Sequence, residues 1–262
     1  MDEPALRTEA DGGVRILTLC RPALLNRFDA DLHHDLTRAL NEIARDDEVR
    51  AVVLAAEGKV FSAGGDFALM REAHADAALR RELMRDAREL ITALLEVPKP
   101  VVAAVQGPAM GLAATVVGSC DAVVAFRGAQ LADTHVNVGL VAGDGGCLVW
   151  PAAVGALRAR RHLLTGDPLD AETAFSLGLV TDLVDTPQDA RPAALALAHR
   201  IAALPTLAVQ LTKRALMRGL QQRAGEVVEL SLAYEEATMA TADHLESITA
   251  FQERRPPRFT GT

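Results

Sequence analysis

The sequence predicts an α/β fold in which buried, parallel-paired strands and helices form a core and a purely helical region follows. Three observations predict it. Short Val- and Ala-rich apolar runs alternate with helix-period segments up to about residue 184. Two glycine-containing segments each follow such a run and lead into a helical pattern. Beyond residue 184 only helical faces recur. Strands separated by helices pair in parallel through crossovers, whereas successive helices with no strand between them form a cap or an oligomerisation module.

Each element has its own signal. Residues 14–19 alternate apolar and polar and stop before Pro22, which reads as a strand. Leu32, Leu36, Leu40 and Ile43 make one helix face, with Asp29 as its N-cap. Residues 51–55 form a continuous apolar run, the mark of a strand buried on both faces, and Gly58 ends it. Residues 68–95 read as helix. Pro98 and Pro100 break the chain before a second buried strand at 101–105. Residues 111–118 are helical, and 121–126 are a strand. The helical remainder divides into four segments, 194–201, 209–220, 227–239 and 245–251. The expected organisation is a core over residues 1–200 and a helical region over 201–262.

Composition excludes several functions. Only 3% of the residues are aromatic, which argues against stacking platforms for single-stranded nucleic acid. The net charge of −8 argues against a phosphate-backbone binder, though not against a small polyphosphate held by local arginines. Half the residues are apolar, so a core of Ala, Val and Leu is available. Cys20, Cys120 and Cys147 lack zinc-ligand spacing and read as reduced thiols of a cytoplasmic protein. The acidic start, Met1 to Glu9, lacks the apolar stretch of a signal peptide, and no apolar run is long enough to span a bilayer.

The two glycine segments carry the chemistry. They are Phe61-Ser62-Ala63-Gly64-Gly65-Asp66 and Gly107-Pro108-Ala109-Met110-Gly111-Leu112-Ala113-Ala114. Two strand-to-helix turns of this kind can aim two backbone N–H groups at one carbonyl oxygen, an oxyanion hole suited to enolate-like or tetrahedral intermediates.

The ordered set of segments resembles the crotonase superfamily, the enoyl-CoA hydratase/isomerase family. Besides the glycine segments it includes Arg21-Pro22-Ala23-Leu24-Leu25-Asn26, Ala129-Gln130-Leu131, Val138-Gly139-Leu140, Gly145-Gly146, Leu164-Thr165-Gly166, Gly178-Leu179-Val180 and the stretch from Ala250-Phe251 to Phe259. The resemblance implies a spiral of β-β-α turns with a C-terminal helical region that builds trimers or dimers of trimers. It also implies an acyl-CoA substrate and no metal or redox cofactor, with coenzyme A entering as part of the thioester. By position it puts the oxyanion donors on Gly65 and Leu112. One such donor contributes roughly 3 to 4 kcal/mol to the barrier reduction. It places Ala23, Leu24, Leu25 and Ala63 along coenzyme A, Arg27 near a phosphate, and Phe259 with Arg254, Arg255 and Arg258 on a tail bordering the ligand. Asp66, Phe67, Gly111 and Gly143 fall in the substrate-binding segments, and the pocket wall is expected from the variable stretch 69–90 together with Trp150 or residues near it.

The departures from the family pattern matter. The two positions where hydratases of the family hold glutamates carry Thr115 and His135. Thr115 is no base near neutral pH; it hydrogen-bonds a ligand or bonds back to its own helix. His135 has the ordinary pKa for proton transfer, yet a histidine at a strand end is also a common structural residue. Asp144, in Gly143-Asp144-Gly145-Gly146, is the best carboxylate in the site, with helix capping as its alternative role. Asp66 reads first as the N-cap of the helix beginning near Phe67. Hydration and double-bond isomerisation of an enoyl-CoA therefore both stay open. Thioester hydrolysis or dehalogenation through Asp144, and coenzyme A binding without catalysis, are the alternatives.

Overall fold

The computed structural model describes residues 4–262. The acidic start of the chain lies partly outside the described residues, and its later part opens a strand that the hydrophobic pattern did not reveal. The elements in chain order are β1 (Leu6–Asp11), β2 (Val14–Leu19), α1 (Ala30–Arg45), β3 (Ala51–Ala56), α2 (Phe67–Ala75), α3 (Ala77–Glu96), β4 (Val101–Val105), β5 (Ala109–Met110), α4 (Leu112–Gly118), β6 (Ala122–Phe126) and β7 (Gln130–Ala132). After a 3₁₀ turn at His135–Val138 come α5 (Gly146–Val154), α6 (Ala156–Thr165), β8 (Leu169–Asp170), α7 (Ala171–Leu177), β9 (Asp182–Val184), α8 (Ala190–Ala202), α9 (Thr206–Met239) and α10 (Ala242–Glu253).

The main sheet has the order β1-β2-β3-β4-β6-β9, and a small second sheet has the order β5-β7-β8. In the main sheet only the β1–β2 hairpin is antiparallel; β2 to β9 pair in parallel, as the alternating pattern predicts. The pleat sends alternate residues to opposite faces. Leu17, Val52, Leu54 and Ala103 join the large core with α1 and α3, while Ile16, Val53, Val102 and Ala104 face α8. Helix α8 meets them with Ala194, Ala198 and Ala202, small side chains that let helix and sheet approach closely.

Three expectations need correction. Helix α8 packs on the sheet, so the helices beyond residue 184 do not all stand apart from it. The segments 209–220 and 227–239 are one continuous 34-residue helix, α9, because Gly219 and Gly225 sit where packing tolerates them and neither breaks the turn. Conversely, the 68–95 stretch is two helices, parted at Asp76, whose carboxylate accepts from the Ala78 and Leu79 N–H groups and starts α3. Asp29 caps α1 by accepting from the Leu32 N–H, as expected.

Helix α9 is tied to the sheet by Lys213, a buried lysine. Its Nζ donates to Asp121 Oδ2 at 2.6 Å and to the Lys99 carbonyl at 3.0 Å. From that anchor the helix runs past α3 and α5, which brings its last turns over the loop after the 3₁₀ turn. No single helix among the described residues is long and apolar enough to cross a membrane.

Candidate active site

The two glycine segments meet backbone to backbone. Met110 N–H donates to the Ser62 carbonyl, and Phe61 and Ser62 N–H groups donate to the Pro108 carbonyl. Gly64 lies against Met110 and Gly111 with φ of +88°; a Cβ there would stand 2.8 Å from the Met110 carbonyl oxygen, so this position requires glycine. Gly111 donates its own N–H to the Ala132 carbonyl, which ties the second segment to β7. The next residue of each segment, Gly65 and Leu112, lines one shared cavity. Neither the Gly65 nor the Leu112 N–H donates to a protein acceptor among the described residues. Both are therefore available to an oxygen placed in the cavity, and the Leu112 N–H also opens a helix, where the dipole favours an anion.

The polar end of that cavity is a chain of four side chains. His135 Nδ1 lies 2.7 Å from Asp133 Oδ1, and His135 Nε2 lies 3.0 Å from Asp144 Oδ2. Glu235 of α9 completes the group: atoms of His135, Asp144 and Glu235 lie within 4.8 Å of one another. All four are buried. Burial alone would suppress the imidazolium, but Asp144 and Asp133 outweigh it and hold the His135 pKa well above 6.5. Burial, then the Asp144 charge, pushes the Glu235 carboxyl up to about 8. The cluster thus pairs a protonated imidazole with a protonated carboxyl. Both His135 nitrogens are engaged by carboxylates, an arrangement that can hold and relay protons.

The apolar walls come from Phe28, just before α1, and from α2, α3 and α9. Leu69, Met70, Leu83, Met84 and Ala87 line the cavity, as the variable stretch predicts, and Met239 closes it from α9. Trp150 does not: it is fully buried in the core beside His162, 6.0 Å between ring centroids. A larger hollow of about 210 Å³ between α3 and α9 holds only the surface pair Arg88–Glu229 and ordinary wall residues, with no comparable cluster.

The sequence-predicted residues separate into three groups. Gly65, Leu112, His135, Asp144 and Asp66 all line the cavity. Asp66 is also the N-cap of α2, accepting from the Ala68 and Leu69 N–H groups. Its Oδ2 lies 2.6 Å from Arg27 Nε, so Arg27 is held in an internal ion pair. Asp144 does not cap α5: the N-cap is Gly145, without a side-chain bond.

Thr115, fully buried, does not bond back to its helix. Its Oγ1 has no partner, and its methyl packs under Gly145. Gly143 is a packing position: a Cβ would stand 2.5 Å from the Ser231 carbonyl and 2.6 Å from Glu235 Oε2. Ser231 in turn donates to the Gly143 carbonyl, and this contact delivers Glu235.

The third group lies outside the cavity. Ala23, Leu24, Leu25 and Ala63 form an exposed ledge, joined by the Ala63 N–H donating to the Leu25 carbonyl. Phe67 packs edge-to-face on Phe251, 4.8 Å between centroids, which docks α2 on α10. Phe259 is exposed on a tail held along α10, where Asp243 accepts from the Thr260 and Gly261 N–H groups. Arg255 is engaged by Glu246 and Glu253, so the tail's charge is partly spent within the chain.

Residues 9–262 match the enoyl-CoA hydratase/isomerase family. The chain belongs to that family. It is 32% identical to the 1,2-epoxyphenylacetyl-CoA isomerase of Escherichia coli (strain K12), over 97% of each chain. It is 31% identical to the short-chain-enoyl-CoA hydratase of Clostridium acetobutylicum, over 94% of each. An enoyl-CoA hydratase/isomerase from Mycobacterium paratuberculosis superposes with a TM-score of 0.90 at 40% identity, covering 94% of this chain and 98% of that one.

Sequence reasoning missed three groups of this enoyl-CoA hydratase/isomerase site. Asp133 was legible as a neighbour of His135 but carried no motif of its own. Glu235 lies on the buried stripe of α9 with Val228, Leu232 and Met239, and that helical spacing was the signal that could have found it. His33 was hidden on the α1 face; it lines the cavity, stacks edge-on to Phe28 at 5.4 Å, and burial holds its imidazole below the ordinary range.

Proposed function

We propose that this enoyl-CoA hydratase/isomerase-family chain binds an acyl-CoA thioester and stabilises its enolate between the Gly65 and Leu112 N–H groups, with Asp144 as the base. One observation carries this reading: the two uncommitted N–H groups open into the same cavity as Asp144, whose Oδ1 has no partner. His135 acts through Asp144. Its two nitrogens are engaged by carboxylates, so it serves as the fixed cation that orients the base rather than as the base itself. Thr115 lies below the site and supports the Gly145 turn. The chemistry draws on protein groups alone, and coenzyme A enters only with the substrate.

The exposed ledge of Ala23, Leu24, Leu25 and Ala63 is the surface we assign to the coenzyme A strand. The exposed leucines of α9, Leu207, Leu211, Leu216 and Leu230, support a homotrimer or a dimer of trimers. Cys20, Cys120 and Cys147 form no disulfide, which fits a reducing cytoplasm.

The test is mass spectrometry of crotonyl-CoA and of a 3-enoyl-CoA incubated with the protein in heavy water. Water addition, double-bond migration or deuterium uptake at C2, each lost in Asp144→Asn, is the expected result. Release of free coenzyme A in place of these would contradict it in favour of hydrolysis, and binding without any change would contradict it in favour of a non-catalytic role.

A further inference from the structure

The two family glutamate positions are Thr115 and His135, so the carboxyl pair that adds water to a double bond is missing from its expected places. A pair nonetheless exists. Asp144 and Glu235 reach the same cavity from different parts of the chain, one from the loop before α5 and one from the penultimate helix, with their oxygens within 4.8 Å.

We propose that Glu235 is the proton donor of this site, the partner of Asp144, and that the two together make the chain a hydratase of 2-enoyl-CoA thioesters. The inference rests on the enolate reading above and adds to it a second catalytic group.

Geometry carries the proposal. Glu235 is 5% exposed, yet its Oε2 has no hydrogen-bond partner. A buried carboxyl oxygen left unsatisfied is costly to fold and is retained where it serves function. The approach of α9 depends on Gly143, since any side chain there would meet Ser231 and Glu235. The Ser231 hydroxyl donates to the Gly143 carbonyl at 2.9 Å, one turn before Glu235, and fixes that side chain over the cavity. The titratable groups facing it are Asp144, His135 and Asp133, and their net effect with burial is to keep the carboxyl protonated near neutral pH. A neutral carboxylic acid beside a carboxylate base is the division of labour that water addition needs.

The step balances. Asp144 takes a proton from water as the water oxygen bonds to C3. The C2–C3 π electrons move onto the thioester oxygen, held by the Gly65 and Leu112 N–H groups. As the enolate collapses, the Glu235 O–H bond breaks and its proton bonds to C2. The proton on Asp144 then returns to Glu235 within the cluster, beside the His135 cation.

The experiment compares wild type, Glu235→Gln, Glu235→Asp and Asp144→Asn on crotonyl-CoA, with kcat/KM profiled from pH 6 to 9.5. Wild type is expected to lose activity on an alkaline limb near pH 8. Glu235→Gln should lose about 10²- to 10⁴-fold in kcat with KM little changed, and its profile should lack that limb. Glu235→Asp should recover part of the rate and keep a limb. An infrared carboxylic-acid band at pH 7, present in wild type and absent in Glu235→Gln, is expected whatever the substrate. Retention of wild-type activity and limb in Glu235→Gln would overturn the proposal while Asp144→Asn remained inactive, and so would absence of the band. A wild type that turns over the 3-enoyl-CoA of the preceding test but adds no water to crotonyl-CoA would also overturn the proposal, whereas one inert toward both thioesters would contradict the enolate reading beneath it.

Discussion

His135 Nε2 lies 3.0 Å from Asp144 Oδ2, and this single contact decides how the site is divided between support and chemistry. It spends one oxygen of Asp144 on the imidazolium and leaves Oδ1 without a partner. The far side of the ring is held by Asp133 at 2.7 Å. A histidine gripped on both edges cannot swing toward a substrate, whereas a carboxylate gripped on one edge keeps the other for the reaction.

Replacing His135 by Gln removes the only cation of the cluster and leaves Asp133 and Asp144 buried together. Breaking a buried ion pair by deleting one partner costs about 3–5 kcal/mol. Urea unfolding should show a loss of this size at pH 7. A variant as stable as wild type would mean that the imidazolium does not neutralise this pair.

Stability should fall as pH rises from mild acid. The folded chain holds the Glu235 proton up to about pH 8, while an unfolded chain releases it near its ordinary 4.5. Between those values the unfolded state binds fewer protons, so each step up in pH costs stability. His135 acts in the same direction. Its stabilising charge is complete below 6.5 and is lost as pH rises through its elevated folded value. At the acid end Glu246, held at about 2 by the Arg255 hydrogen bonds, loses its contribution as pH falls from 4.5 toward that value. Tm measured by calorimetry across pH 4 to 9 should therefore peak in mild acid, and Glu235→Gln should flatten the slope between 4.5 and 8. A Tm that rises from pH 5 to 8 would contradict the cluster's proton count.

Adjacent glycines should respond differently. An alanine at Gly64 must hold φ of +88° and place its Cβ 2.8 Å from backbone. At Gly65 φ is ordinary and the new Cβ meets only the Cε end of Met70, which can move. Gly64→Ala should lower both Tm and kcat, the latter by about 10²-fold or more through a displaced donor. Gly65→Ala should fold normally. Equal effects of the two would mean that the segments do not depend on the Gly64–Gly111 contact.

Lys213→Met tests the anchor of α9. It strands Asp121, which also accepts from the Val101 N–H, and should cost about 3 kcal/mol in urea unfolding. A neutral effect would show that α9 is held by its apolar contacts alone.

Much of the fold was legible because its signals are local. The Val-rich runs at 51–55 and 101–105 and the caps Asp29 and Asp66 need only their neighbours, whereas the cap at Asp76 was hidden inside an uninterrupted helical pattern. The two glycine segments were legible as a pair, the family resemblance then pointed to Gly65 and Leu112 within them, and Asp144 stood out as a glycine-flanked carboxylate; the structure brings all three to one cavity. Glu235 was not, since its meaning comes from Gly143, about ninety residues earlier in a chain whose loop turns back under α9. The edge strand β1 escaped because an exposed strand, polar along most of its length, has no apolar period to detect. Trp150 was misplaced for the opposite reason: a large apolar residue near a site fits a pocket wall and a core equally well, and only packing separates them.

Everything proposed for this site depends on the Gly65 and Leu112 N–H groups stabilising a thioester enolate. Ultraviolet titration of acetoacetyl-CoA bound to the wild-type protein tests it without depending on turnover. The bound ligand should show its enolate band at a pH where the free ligand is still the ketone. A ligand that binds and keeps the spectrum of the ketone through the same range would contradict it.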